Sequence, residues 1–418
     1  MVRWDYRVDC YDVVIIGAGP AGLLCGILCG TKGRSVCILE KNDGAGKKLL
    51  LSGSGKCNIT HAGSIKDFLA HYGDKGRFVK PSLLNFTNAD LMDFFEKRHL
   101  KTVEASDGKI FPETRSGRDV LGVLLEECKK RGVVIRYREP VQDIAKTHSG
   151  FEARTKNAVC GAGTAVIAAG GASYPSTGSN GDGYAFAKVL GHTIVEPGPA
   201  LVPVIVRNYP FGNCAGISIA DTKTAVYRNN KKVRDVRGDV LFTHRGLSGP
   251  GILDLSRFIR RNDELKISLV KFDTKEDCEK DIIKEFSAEG KRTIKKCMSK
   301  YKVPQRLLER IFNLKGIPLD QNTSSIDKKT RRVIVDNLME CPFVVESLGG
   351  YDEAMVTRGG VCCREINPST MESRIVPGLY FAGEVVDVDG DCGGYNLQFA
   401  FSSGVRSAKS IAGFRRPD

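Results

Sequence analysis

The chain has 418 residues, 41% hydrophobic and 27% charged, with a net charge of +14. That is long enough for two or three domains, each with its own core, and the composition is that of a globular protein rather than a disordered or fibrous one. Fourteen cysteines contain no C-x-x-C pair. They read as reduced, mostly buried thiols of a cytoplasmic protein, not as a disulfide framework or a metal site.

The stretch 12–41 organises the rest. Residues 13–16 form an apolar run of strand length, as in a strand covered on both faces. Gly17, Gly19 and Gly22 then make G-x-G-x-x-G around Ala18, Pro20 and Ala21, and a helix begins at Pro20. A second strand spans 35–39 and ends at Glu40, eighteen residues after Gly22, where a carboxylate meets ribose hydroxyls. Strand, glycine turn, helix and acid together predict a dinucleotide site with the pyrophosphate on the helix N-terminus. Residues 13–30 carry no charge, yet the glycine spacing argues against a membrane span, and Asp5, Asp9 and Asp12 argue against a secretory leader.

A polar glycine loop follows, starting at Lys41, itself a cofactor-contact candidate, with Lys47 and Lys48 placed to meet phosphate. Ser52, Gly53, Gly55, Lys56, Cys57 and Asn58 then run along backbone that can lie against a flat ligand. Helices are expected at 88–99 and 118–131, and strands at 133–137, 150–155 and 164–169. The last of these runs into Gly170, so that Ala169 and Gly170 pass under a dinucleotide. Residues 197–272 alternate strand and turn signals, with Asn229-Asn230 as a hairpin turn and His244 in a turn of its own. Residues 274–340 turn helical, opened by a Thr274/Asp277 capping pair. A terminal strand at 379–382 leads to Gly383 and Glu384, then Asp389, Gly393 and Gly394. A helix follows from about Tyr395, with Asn396 and Leu397 in its first turn.

The expected architecture is α/β: a Rossmann-like domain split into 1–195 and 345–418, a β-rich insert at 196–273 with about 335–345, and a basic helical insert at 274–334. From 280 to 332 there are fifteen Lys and Arg against six Asp and Glu, a net of +9. Such a module suggests a polyanionic partner reached through Lys295, Lys296, Lys328, Lys329, Arg331 and Arg332. A second helix N-terminus near a flavin and the single complete fingerprint favour resident FAD, with NAD(P)H as a transient reductant.

The motifs KKLLLSGSGKCNIT, LFTHRGLSGPGIL, VTRGGVCCREINPSTMESR and GLYFAGEVVDVDGDCGGYNLQFAFSSG resemble the bacterial three-domain FAD flavoproteins of the YhiN/BaiN type over nearly the whole chain. Their glycine loop usually reads SGGGRCN; Ser54 and Lys56 stand here for a glycine and an arginine. The resemblance implies FAD in the split domain, a β-barrel insert and a small helical insert. Val141 joins the cofactor-contact set on the same ground. It also implies one of several activities: reduction of a 23S rRNA uridine to dihydrouridine, a bile-acid reaction, or oxidation of a small amine such as aminoacetone. The basic segment ranks the rRNA first, because a small apolar or amine substrate gives no reason for +9 on one module. In that reading hydride passes from flavin N5 to uracil C6 and an acid protonates C5. Cys57 and His244 are the residues offered for the acid, with Tyr395 or a water as alternatives.

Overall fold

Strand Val8–Ile16 lies inside a seven-stranded sheet of the computed structural model, which describes residues 8–288 and 292–413. The sheet runs Val134–Arg136, Val36–Leu39, Val8–Ile16, Val159–Ile167, Gly150–Thr155, Val141–Thr147. The first four strands are parallel, and Leu379–Phe381 adds a fifth parallel strand beside Ala165, Val166 and Ile167. The apolar run at 13–16 has a simple cause. Val13 and Ile15 enter one core with the Pro20–Thr31 helix, while Val14 and Ile16 enter a second core on the opposite face.

Helix Tyr395–Gly413 packs on Pro20–Thr31, and glycine makes this possible: a Cβ on Gly404 would stand 2.4 Å from the Ala21 carbonyl oxygen. The first and last parts of the chain thus share one unit, which runs up to Ala200 and resumes at Ala354.

The second unit is Leu201–Glu353. Its strands close a six-stranded barrel in the order Val204–Val206, Gly246–Ser248, Lys231–Phe242, Ser218–Arg228, Glu264–Ile267, Cys341–Leu348. Phe211, Phe242 and Phe343 meet inside it at ring distances of 5.4–6.0 Å. Helix Gln305–Leu314 presents Leu307, Leu308, Ile311 and Phe312, as its 3–4 spacing dictates. These side chains join the same core as barrel residues Val226, Phe242 and Phe343. The helical segment and the barrel therefore form one unit with a continuous core, where the sequence suggested two inserts. Thr274 accepts from the Asp277 N–H as expected of a cap, and Asn229 and Asn230 both take left-handed φ in the hairpin turn.

Among the described residues the cysteines are free, and ten of the fourteen are buried. No helix among them is long and apolar enough to cross a membrane. The packing of the two helices predicts that Gly404→Val destabilises the first unit by about 1–3 kcal/mol through overpacking. Thermal unfolding should show its midpoint lowered by several degrees.

Candidate functional site

The three fingerprint glycines have different reasons to be glycine. A Cβ on Gly17 would stand 2.5 Å from the Ala168 oxygen, and one on Gly22 would stand 2.1 Å from the Gly17 oxygen. Both are demanded by the fold itself. A Cβ on Gly19 would meet nothing within 4 Å. Its freedom leaves the backbone open at the N-terminus of Pro20–Thr31, the place for a pyrophosphate. Glu40 is buried at the end of its strand, where Oε2 accepts from the Ala18 N–H at 2.9 Å. Its Oε1 accepts from the Asn42 N–H and side-chain amide. The carboxylate is thus fixed against the glycine turn.

The lysines of the glycine loop are engaged with the protein. Lys41 Nζ bonds Asn180 at 2.5 Å and Asp182 at 2.6 Å, and Lys47 pairs with Asp43 at 2.8 Å. Lys48 Nζ bonds both Glu384 oxygens, at 2.8 and 2.7 Å, and also the Ser173 hydroxyl. Lys41 and Lys48 thus tie the loop to carboxylates far along the chain. Glu384 Oε1 also accepts from Ser173 Oγ at 2.9 Å and from the Thr357 N–H at 2.8 Å. Gly171 makes room for this cluster: a Cβ there would stand 2.7 Å from Glu384 Oε1. Beside Gly171, Gly170 takes φ +77° directly after Ala169. The preceding residue of the terminal turn, Gly383, donates its N–H to Ser403 and lies against Ala21. The terminal Gly-Glu turn and the first glycine turn are therefore neighbours.

The glycine loop turns back sharply. Gly53, Ser54, Gly55 and Cys57 all have positive φ, between 56° and 85°. Ser52 is half-buried and Gly53–Lys56 are exposed, but Cys57 and Asn58 turn inward. Asn58 Oδ1 is buried with no hydrogen-bond partner among the described residues, an acceptor suited to a ligand N–H or O–H. Cys57 is fully buried in the apolar cluster with Leu49 and Ile59. Burial pushes its thiol up to about 11. The thiol keeps its proton but has no exposed surface, which argues against the role of proton donor offered for it. His244 is exposed on a turn of the second unit.

The other expected contacts divide in the same way. Gly393 and Gly394 have φ +134° and +97°, and a Cβ on Gly394 would meet the Thr60 oxygen at 2.5 Å. Asn396 is used locally, its amide exchanging hydrogen bonds with Gly390. The Tyr395 ring is buried between His61 and His71, stacked at 5.1 and 4.0 Å. Asp389, Leu397 and Val141 are half-buried or buried within the same unit. The Lys48–Glu384–Ser173–Thr357 network was not foreseen. Its members are scattered over 336 residues, and no local spacing links them.

The open backbone at Gly19, the fixed Glu40 and the unsatisfied Asn58 fit FAD. Removing the carboxylate in Glu40→Ala leaves the Ala18 N–H unpaired. FAD affinity should fall about 10–100-fold, read as loss of flavin absorbance on dilution. Cys57 supplies a second test. Its folded thiol titrates near 11 against an ordinary 9.0, so the protonated form is favoured in the folded state. The associated stability is complete below pH 9 and is lost as pH rises through 11. Between about pH 8.5 and pH 11 the wild type should lose about 2 kcal/mol more stability than Cys57→Ala, measured by urea unfolding.

The model of the family described as HI0933-like protein Rossmann domain matches residues 11–410. The chain is 33% identical over 408 residues to the ribosomal RNA dihydrouridine synthase of Escherichia coli (strain K12), covering 96% of this chain and 98% of that one. It is 30% identical over 418 residues to the 3-dehydro-bile acid delta(4,6)-reductase of Clostridium scindens, covering 95% and 98%. Among solved structures it shares its fold with the 3-ketosteroid delta1-dehydrogenase of Sterolibacterium denitrificans. The TM-score is 0.51 at 13% identity, over 96% of this chain and 99% of that one. With its paired glycine turns, its Glu40 fixed against the first of them and its barrel-bearing insert, the chain belongs to the HI0933-like Rossmann family of FAD-binding proteins and is a flavin-dependent oxidoreductase.

Proposed function

We propose that this oxidoreductase reduces a uridine of ribosomal RNA to dihydrouridine, with NAD(P)H as the source of electrons. Relatives of nearly equal identity are named for a ribosomal RNA and for a bile acid, so identity alone does not choose between them. The observation that carries the choice is the surface charge of the segment 280–332. Lys296, Lys328, Lys329 and Arg332 are exposed and make no ion pair among the described residues. Lys295 and Arg331, expected with them, are engaged instead: Lys295 with Glu309 at 3.2 Å and Arg331 with Glu279 at 3.4 Å. Four unpaired cations on one segment suit the repeated charges of a phosphate backbone and exceed what the single carboxylate of a bile acid can match.

The reaction adds a hydride to C6 and a proton to C5 of the uracil ring. FAD supplies the hydride when bound. The chain's part is to hold the cofactor through Gly19, Glu40 and Asn58, to fix the Glu384 turn through Lys48, and to deliver the proton. Of the two residues offered as the donor, Cys57 has no exposed surface, and His244 is exposed on a turn of the second unit.

The decisive experiment is nucleoside mass spectrometry on 23S rRNA lacking dihydrouridine, incubated anaerobically with the holoenzyme and NADPH. A single uridine should gain two hydrogens. No gain, with the flavin still reduced by NADPH, points to the small-molecule reading and to a steroid enone as the next substrate to test. Cys57→Ala should change turnover on the RNA less than tenfold and leave FAD content unchanged, because its thiol has no exposed surface. A loss of about 10²–10⁴-fold returns the proton to the thiol.

A further inference from the structure

Strand Lys231–Phe242 is paired along its length with Ser218–Arg228 on one side. On its other side it pairs with Gly246–Ser248 only at Leu241 and Phe242. A strand lying on a core hides every second side chain. Here Lys231, Lys232, Val233, Arg234 and Asp235 are all exposed. The end of this hairpin therefore has both faces in solvent. Lys232 faces Tyr227 and Arg234 faces Val226, which leaves Val233 as an extra residue in the ladder, 42% exposed. Such a bulge sharpens the local twist and re-aims the side chains around it.

The charge on this end is of one sign up to Asp235. Lys231 makes no ion pair among the described residues. Lys232 reaches Asp235 only at 3.5 Å. Arg228, at the base of the turn, is held by Asp263 at 2.9 and 2.8 Å and takes no part. The Arg234 guanidinium lies over the Phe258 ring, 4.6 Å from its centroid. Lysines on an open strand edge serve to keep other strands away. An arginine held over a ring is not needed for that, and its guanidinium keeps N–H donors ready for an oxyanion.

We propose that this hairpin end is a second RNA contact, in which Lys231, Lys232 and Arg234 grip the phosphate backbone independently of the cations in 280–332. The inference rests on the ribosomal RNA reading and goes beyond it by assigning a distinct docking surface.

The test is equilibrium binding of the full-length holoenzyme to a 23S rRNA transcript across a range of potassium chloride concentrations. The Lys231→Ala/Lys232→Ala variant should bind about tenfold more weakly at low salt. Its slope of log K against log salt should be shallower by about 1.4–1.8, two phosphate contacts' worth. Flavin content and thermal midpoint should match the wild type. Lys231→Arg/Lys232→Arg should keep the wild-type slope. A steep slope that is the same in the alanine variant overturns the hairpin contact and leaves the RNA substrate standing. A wild type that binds no RNA overturns both.

Discussion

Backbone lies against backbone where helix Pro20–Thr31 meets the first glycine turn and the terminal helix, and the architecture depends on that close approach. A single added carbon has no room at Gly17, Gly22 or Gly404, where carbonyl oxygens stand 2.1–2.5 Å from the site it would occupy. The helix is thereby seated between the sheet and the terminal helix Tyr395–Gly413. Its N-terminus is held beside the Gly383 turn. A helix N-terminus is useful to an anion only when its free N–H groups are aimed at one spot. Here that aim is set by packing, and Gly19 keeps the spot accessible.

Around this seat, charge ties distant segments together. Lys48 reaches Glu384, Lys41 reaches Asp182, and Lys75 reaches Asp387 at 2.6 Å. Each pair joins the loop region after the second strand, or the helix beyond it, to a part of the chain more than a hundred residues away. Glu384 is the most heavily bonded of these acids, with a cation, a hydroxyl and a backbone N–H on it. A half-buried carboxylate satisfied so completely is a rigid part of the scaffold, and it fixes the turn through which the terminal strand enters the site.

The second unit spends its charge differently. Some basic side chains are matched: Arg228 by Asp263, Lys300 by Asp281 and Glu285, Arg331 by Glu279. Those on the exposed face of Lys328–Met339 and on the hairpin end have no acid within the same reach, or only a distant one. Sequence counting finds the excess of +9, but counting does not separate a cation held by a neighbour from one presented to solvent.

The amino-acid sequence by itself determined the strand–glycine turn–helix fingerprint, the β-rich and helical character of the insert, the Asn229-Asn230 turn and the cap at Thr274. Each depends on residues within a few positions of one another, so local spacing carries the information. The resemblance of the long motifs extended this to the cofactor and the family. Tertiary structure alone decided the rest. Lys48 looks like a phosphate ligand in the sequence, but the distant Glu384 carboxylate bonds it. Cys57 follows an exposed glycine loop and looks accessible, but the backbone turns it into the core at φ +59°. The barrel and the helical segment read as separate inserts, but the apolar face of Gln305–Leu314 finds its partners across the barrel core. In each case the deciding contact lies far away along the chain, where periodicity and spacing carry no signal.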